Sequence, residues 1–392
     1  MKKILLPGLL MLAIMGCKPK ATAPTEAHII AQISAFTEKV NTEMNEGRVN
    51  VLDKHFDKGV FVNRVVSHPY WDEFLVEKGD TAYKSDFKKQ LLSELTLMRM
   101  FLSNIEGKSY FAYDHVKTYK IDDRWHAVFR IYANDAINYH DCLLRVDTNK
   151  VWIEDIYVMT LGTQLSKIMQ EMYVAGIPNA TGDDYFEDHR LLRTSKLWAE
   201  RGEYEMALAV FDSISAAFQS AKSLRLYKLQ LSSHVPDEAY VRLLEAYEKD
   251  FPADAGTVLI RLDKNFLYGN FPAVIDDLKR LEAMYTPDPI IDYMRGNALF
   301  GLDDCTEAAK SYQSSLQQKP DWEEPFFNWL RCLARNGRNQ EAVALIEQYQ
   351  EDFEITPTYV RLIVNDIPNF LNSSPYRKWK EAAEQKERRP VM

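Results

Sequence analysis

The chain has 392 residues, enough for two or three domains, with 46% hydrophobic and 27% charged residues, an ordinary globular balance. Its formal net charge is −9, and a chain acidic on average lacks the basic face that general nucleic-acid binding needs. The four cysteines, Cys17, Cys142, Cys305 and Cys332, are too few and too widely spaced for a disulfide framework, and without a CxxC or Cys/His pairing they suggest no metal site.

The chain opens Met1-Lys2-Lys3 and continues in an apolar run of 12 residues, Ile4 to Met15, broken only by Pro7 and Gly8. Such a run is too short to cross a bilayer, which takes about 20 residues, and suits the apolar core of an export signal. It ends Ile14-Met15-Gly16-Cys17, which resembles the lipobox of bacterial lipoproteins; Met15 is less usual at its position. The resemblance implies that residues 1–16 are removed as a signal peptide and that Cys17 carries diacylglycerol as the acylated N-terminus. Several acyl chains anchor a protein stably where one does not. Residues 17–25, with Lys18-Pro-Lys-Ala-Thr-Ala-Pro-Thr25, read as a flexible tether. In Gram-negative lipoproteins an Asp after the cysteine retains the protein in the inner membrane. Lys18 at that place implies the outer membrane, with the protein facing the periplasm.

From Glu26 the spacing is helical: Ile29, Ile33, Phe36, Val40 and Met44, closed by Gly47. A short helix over Val49–Phe56, a strand over Val60–Val66 and an exit at Pro69 follow. Phe87, Leu91, Leu95, Met98, Leu102 and Ile105 then trace a long helix ended by Gly107. Beyond it the period becomes two, in Ser109–Tyr119, Arg124–Tyr132, Asn138–Val146 and Val151–Met159. Turns at Asp122-Asp123 and Asp147–Lys150 predict an antiparallel meander. This element order resembles the NTF2-like superfamily over roughly residues 26–162, and His140–Val146 with Val151–Tyr157 resembles its closing hairpin. The resemblance implies an α+β cone over residues 26–175, helices on a curved antiparallel sheet, which in some members encloses a pocket or an active site built on Asp, Tyr or His. The polar residues available are Tyr113, His115, His126, Tyr139, Asp141, Asp155 and Tyr157. No spacing among them singles out a catalytic pair, and the neighbours His140 and Asp141 point to opposite faces of their strand. No catalytic residue and no cofactor is therefore assigned.

Leu165, Ile168, Met169 and Met172 suggest a connecting helix, and Gly176-Ile-Pro-Asn-Ala-Thr-Gly182 opens a linker over residues 176–187. The sequence then repeats itself, in stretches beginning Gly202-Glu-Tyr-Glu-Met-Ala, Gly269-Asn-Phe-Pro-Ala-Val, Asp303-Asp-Cys-Thr-Glu-Ala and Gly337-Arg-Asn-Gln-Glu-Ala, spaced 67, 34 and 34 residues apart. The first interval holds a degenerate copy around Val235–Leu244. The pattern resembles the tetratricopeptide repeat, whose period is 34, with starts near Asp188, Ala221, Ala255, Pro289 and Glu323. Turn positions take Gly202, Gly269 and Gly337; the crowded helix crossing takes Ala207, Ala308 and Ala342, replaced by Tyr240 and Val274 in copies two and three. A large residue follows four places on: Phe211, Leu244, Leu278, Tyr312 and Ile346. The small residue of the first helix survives as Ser195 and Gly296. About five repeats over 188–356 make an all-α solenoid. Residues 357–392 supply capping helices, with Ser374-Pro375 as a start and Tyr376, Trp379 and Ala383 on one face.

Arrays of this kind bind peptides or helices along a concave face lined by their first helices. The family's groove positions bring forward Phe266, Tyr293, Asn297, Phe300, Phe327 and Arg331. Aromatic anchors beside an Asn and a fork-shaped Arg suit peptide recognition, although the same rings could serve only to pack one helix on the next. Cys305 and Cys332 fall on neighbouring helices, as buried thiols or as a bonded pair. The reading is a membrane-anchored scaffold in the cell envelope that holds a protein or peptide partner, with no nucleic acid. The alternatives are a small-ligand-binding cone or an NTF2-like enzyme that uses the repeats to recruit a partner. A filled cone favours the scaffold, an apolar cavity the ligand, and a polar cluster inside a cavity the enzyme.

Overall fold

The computed structural model describes residues 25–48, 50–67, 81–96, 111–133, 136–174, 183–235, 239–251, 255–285 and 288–387. Cys17, the signal and most of the tether lie outside these. The Thr25 hydroxyl accepts the His28 N–H and starts α1 (Glu26–Asn45), which buries Ile33, Phe36, Val40 and Met44 as its spacing requires. Then come α2 (Asn50–His55), α3 (Lys58–Val65) and α4 (Thr81–Glu94). The strand expected over 60–66 is thus a helix. The Asp57 carboxylate accepts the Val60 N–H at 3.0 Å, and Phe61, Val62 and Val65 bury on one face. Capping and burial outweigh the β preference of the valines. The expected long helix is described only as far as Glu94; Met98, Leu102 and Ile105 fall outside the described residues.

The meander follows as β1 (Phe111–Ile121), β2 (Arg124–Ala133), β3 (Ala136–Val146) and β4 (Val151–Val158), with a short β5 (Thr163–Gln164) beyond a turn of 3₁₀ helix at Met159–Leu161. All pairs are antiparallel and sequential. The first hairpin turns on Asp122 and Asp123, both left-handed at φ 47° and 59°. The inner face lays Tyr113, Phe129, Cys142, Leu144, Ile153 and Ile156 against Phe36, Val40, Phe61 and Val65. Tyr113 stacks on Phe129 at 5.0 Å, with Phe36 edge-on to the same ring. Among the described residues, these side chains pack between the sheet and the helices.

α5 (Leu165–Val174) packs on α3 and β4. The helical half then runs as five antiparallel pairs. Pair one is α6 (Asp183–Glu200) and α7 (Tyr204–Asp212), and the single-turn α8 (Ala216–Gln219) leads into pair two, α9 (Lys222–Ser233) and α10 (Ala239–Asp250). Pair three is α11 (Ala255–Leu267) and α12 (Phe271–Met284), pair four α13 (Pro289–Gly301) and α14 (Cys305–Gln318), and pair five α15 (Glu324–Arg335) and α16 (Asn339–Tyr349). Residues 183–187, expected in the linker, already belong to α6. The turn glycines Gly202, Gly269 and Gly337 take φ of 79°, 67° and 69°, and Asp303 holds the equivalent place at 59°, the left-handed geometry that ends a helix and reverses the chain. The crossing residues Ala207, Val274, Ala308 and Ala342 are wholly buried, as are Phe211, Leu278, Tyr312 and Ile346 four places on. At Gly296 an added Cβ would stand 2.5 Å from the Tyr312 ring, which explains the small residue there. α17 (Pro357–Ile363), α18 (Pro368–Leu371) and α19 (Ser374–Glu387) close the stack, with Tyr376, Trp379 and Ala383 buried against it.

The outer face of the sheet also buries, and it does so on the repeats. Ala112, Val116, Val128, Tyr132, Ile137 and Tyr139 share one core with Val258, Leu281, Ile290 and Trp322. Tyr139 stacks on Tyr285 at 4.1 Å, and Tyr132 meets Trp322 edge-on at 5.7 Å. Arg130, with 1% of its side chain exposed, donates to Asp288 at 2.5 Å and to Asp114 at 2.8 Å. Lys117 donates to the Met284 carbonyl, and Lys222 to the Tyr157 hydroxyl, both at 2.8 Å. Two units that fold apart, as the linker suggests, do not fit this seam. A detached repeat stack would expose Tyr285 and Trp322 and leave Asp288 without its cation.

Candidate functional site

The six groove residues sort by what they touch. Tyr293 is only 6% exposed and lies in the core, edge-on to Trp322 at 4.7 Å. Its hydroxyl accepts from Asn328 at 3.2 Å. Asn297 accepts from both the Tyr312 hydroxyl, at 3.0 Å, and Asn328, at 2.8 Å. These two residues knit pair four to pair five and are withdrawn from the candidate surface. Arg331 grips Asp366 through both terminal nitrogens, at 3.0 and 2.8 Å, and also donates to the Ile363 carbonyl. Its planar fork joins α15 to the cap. Phe266, Phe300 and Phe327 remain half-buried, against the core on one side and reachable on the other. Phe327 leans on Tyr359 at 5.6 Å, and the exposed Arg335 lays its guanidinium 5.2 Å from the Phe300 ring. The surface left by this sorting is an aromatic face on α11, α13 and α15 with Arg335 at its margin. Arg335 escaped the sequence reading because its position lies outside the family's groove set; one helical turn on from Arg331, it was within reach of the 3–4 spacing rule.

The polar candidates on the sheet divide between its faces. Tyr113 and His140 are buried inside, and burial raises the Tyr113 hydroxyl well above its usual range and pushes the His140 imidazole down to about 3. Asp155 accepts from the Ser166 hydroxyl at 2.5 Å and pairs with Arg64 at 3.3 Å, a link from β4 to α3 and α5. His115 bonds the Thr118 hydroxyl at 2.8 Å. Tyr139 and Tyr157 belong to the seam with the repeats. His126 and Asp141 do come together, at 3.0 Å, and a third group, Tyr119, donates to the other Asp141 oxygen while stacking on His126 at 4.8 Å. Sequence reasoning missed Tyr119. Its signal is the hairpin itself, since a turn at 122–123 sets Tyr119 directly opposite His126. Both Asp141 oxygens are taken, so this trio cross-ties β1, β2 and β3.

Among the described residues, no group of three or more His, Cys, Asp or Glu is placed to hold a metal ion, and no helix is long and apolar enough to cross a membrane. Among the described residues, two clefts lie on the helices: about 340 Å³ between α16 and α19, lined by Val343, Ala344 and Trp379, and about 260 Å³ beside Arg225, Lys228 and Tyr247.

No protein family matches the sequence, and no curated protein does. Solved structures do show partial likeness. MamA of MSR-1 is 15% identical and aligns 43% of this chain with 97% of its own, at a TM-score of 0.35. The C-terminal part of a TPR repeat-containing protein from Cytophaga hutchinsonii is 15% identical over 54% of this chain and 91% of its own, at 0.35. The TPR2AB domain of yeast Sti1, solved in complex with pHSP90, is 12% identical over 56% of this chain and 93% of its own, at 0.23. At these scores the likenesses add nothing to the hairpin geometry, and the repeat architecture rests on that geometry alone.

Proposed function

We propose that this chain is a lipoprotein of the bacterial cell envelope, anchored through Cys17, whose helix-pair stack holds a protein or peptide partner. The observation that carries the partner reading is the aromatic face: Phe266, Phe300 and Phe327 stay half-buried on successive first helices, while the polar residues beside them are tied inward. Rigid rings of this kind make contact area at small entropic cost. The sheet takes the part of a buttress, and we read it as an NTF2-like cone turned structural. Among the described residues its inner face is packed with side chains, and both carboxylate oxygens of Asp141 on its outer face are engaged by Tyr119 and His126. This packing supports the scaffold reading. The test is partner capture from envelope extracts by the wild-type chain and by Phe300→Ala and Arg335→Glu, with each melting temperature measured alongside. Capture lost with an unchanged melt supports the face. Capture retained in both variants removes it.

A further inference from the structure

We propose that the hairpin end of the sheet is a membrane-contact surface, seated on the bilayer that holds the Cys17 lipid; the inference rests on the anchoring reading above. Three elements meet at this end. The β1–β2 turn at Asp122-Asp123 and the β3–β4 turn at Asp147–Lys150 both lie beside the start of α1. Glu26 reaches Lys120 at 3.9 Å, and Gln32 donates to the Thr148 carbonyl at 2.8 Å. Cys17 to Thr25 is nine residues, which even drawn straight span only about 30 Å. An acylated Cys17 therefore keeps this end of the sheet close to the bilayer. The repeats cover the opposite end of the strands, through Ala112, Tyr132 and Ile137.

This end carries apolar side chains that the fold leaves in the open. Ile121 is 55% exposed at the tip of a hairpin, where turn chemistry calls for polar residues. Ile30 is 49% exposed, outside the buried stripe of Ile33, Phe36, Val40 and Met44. It stands one helical turn from Glu26, on the side that reaches Lys120, the neighbour of Ile121. Two half-buried tryptophans flank these isoleucines, rings of the kind that settle at the level of lipid headgroups. Lys120 lies 5.7 Å from the Trp125 ring and Lys150 3.4 Å from the Trp152 ring, while the Trp152 indole N–H donates to Asp147 at 2.8 Å. Exposed isoleucines among tryptophans and lysines are the chemistry of an interfacial surface. The charges are already paired: Lys120 with Glu26 and Asp123, Arg124 with Glu154, Arg145 with Asp147. Contact therefore comes from burying Ile30 and Ile121 at the acyl-chain boundary, and not from attraction to anionic headgroups. Such a patch is too small to hold the protein by itself. Beside an acyl anchor it supplies a second contact, and it turns the repeat stack away from the bilayer.

The experiment uses the chain from Cys17 onward, which keeps every described residue. Its Cys17 is coupled to a maleimide that carries one myristoyl chain; Cys142, Cys305 and Cys332 are buried and do not compete. A single such chain binds membranes only marginally, at about 10⁴ M⁻¹, so a second contact shows directly as a change in partition. Partition is measured by co-sedimentation with phosphatidylcholine vesicles, with the melting temperature of each protein alongside. Ile121→Asp and Ile30→Asp should each weaken partition roughly tenfold, with an unchanged melt. Leu362→Asp, at a 69% exposed position in the cap, should leave partition unchanged, and raising the salt to 0.5 M should not release the parent protein. Equal partition of the parent and both isoleucine variants would overturn the proposal. So would an equal loss in Leu362→Asp, or release by salt, which would mean attraction to headgroups. Because the acyl chain is attached chemically, these outcomes stand apart from the anchoring reading, which fails separately if Cys17 is found unmodified in cells.

Discussion

Removing the Arg130 guanidinium should unfasten the sheet from the repeats. The side chain is 1% exposed and spans two carboxylates, Asp288 at 2.5 Å with no exposed side-chain surface and Asp114 at 2.8 Å with 21%. Burial by itself would raise the Asp114 carboxyl; Arg130, with Lys319 behind it, brings it below the usual carboxylate range. Arg130→Ala leaves Asp288 charged in a dry seam, and breaking a buried pair from one side costs about 3–5 kcal/mol. Asp114 adds less, because Asn45 donates to it at 2.7 Å and Lys319 stands 4.0 Å away. Asp288 is also the N-cap of α13, accepting the Ile290 N–H at 2.9 Å; Asn can still perform that task, so Asp288→Asn isolates the charge. The double variant Arg130→Ala with Asp288→Asn should be less destabilised than the two single changes added, by ~2 kcal/mol of coupling. Urea unfolding followed by far-ultraviolet circular dichroism measures all four corners of the cycle. A loss below ~1 kcal/mol for Arg130→Ala, or strict additivity, would refute the claim that this pair fastens the seam.

Acid should weaken the fold through His140. Burial holds its imidazole neutral down to about 3, against ~6.5 when unfolded, so its contribution is full above the unfolded value and falls as pH drops toward the folded one. Between pH 7 and pH 5 that amounts to ~2 kcal/mol, and His140→Phe should flatten the stability profile by that amount; an unchanged slope refutes it. His55 and His115, also lowered by burial, drift the same way and remain in both proteins. Gly296→Ala drives a methyl into Tyr312 and should cost ~1–3 kcal/mol. Gly337→Ala meets nothing within 4 Å and should cost only the ~1 kcal/mol of its left-handed backbone; equal losses in denaturant melts would contradict the steric account. Mass spectrometry of the mature N-terminal peptide should find acyl chains on Cys17, and an unmodified cysteine or cleavage elsewhere would end the anchoring proposal.

The repeats were legible because their physics is local and recurrent. A left-handed turn needs Gly202, Gly269 or Gly337, and a close crossing needs Ala207, Ala308 or Ala342, so the period shows through even where Tyr240 and Val274 intervene. The meander was legible from its alternation, and its hairpin turns fell where Asp122-Asp123 and Asp147–Lys150 placed them. Residues 60–66 misled because β propensity is weak beside a cap and a buried face, and nothing in the valines announces that Asp57 will start a helix. The seam was invisible for a different reason. Sheet residues such as Tyr139 alternate identically whether they face water or a second layer, and only the fold brings Tyr285 onto that ring. The groove positions carried the same ambiguity. Spacing put Tyr293 and Phe300 on one helix, but the side that each ring faces depends on Trp322 and Arg335, which come from elsewhere in the chain.

The proposed partner-holding face can be tested where it matters, in cells that carry the full chain. A photo-crosslinking amino acid at position 335, exposed beside Phe300, compared with one at the exposed Asp276 on the second helix of pair three, reads the surface directly. Ultraviolet irradiation should yield one discrete higher-mass adduct from position 335 and none from position 276, and Phe300→Ala should abolish it. No adduct at 335, or the same adduct from both positions, would contradict a partner held on this face.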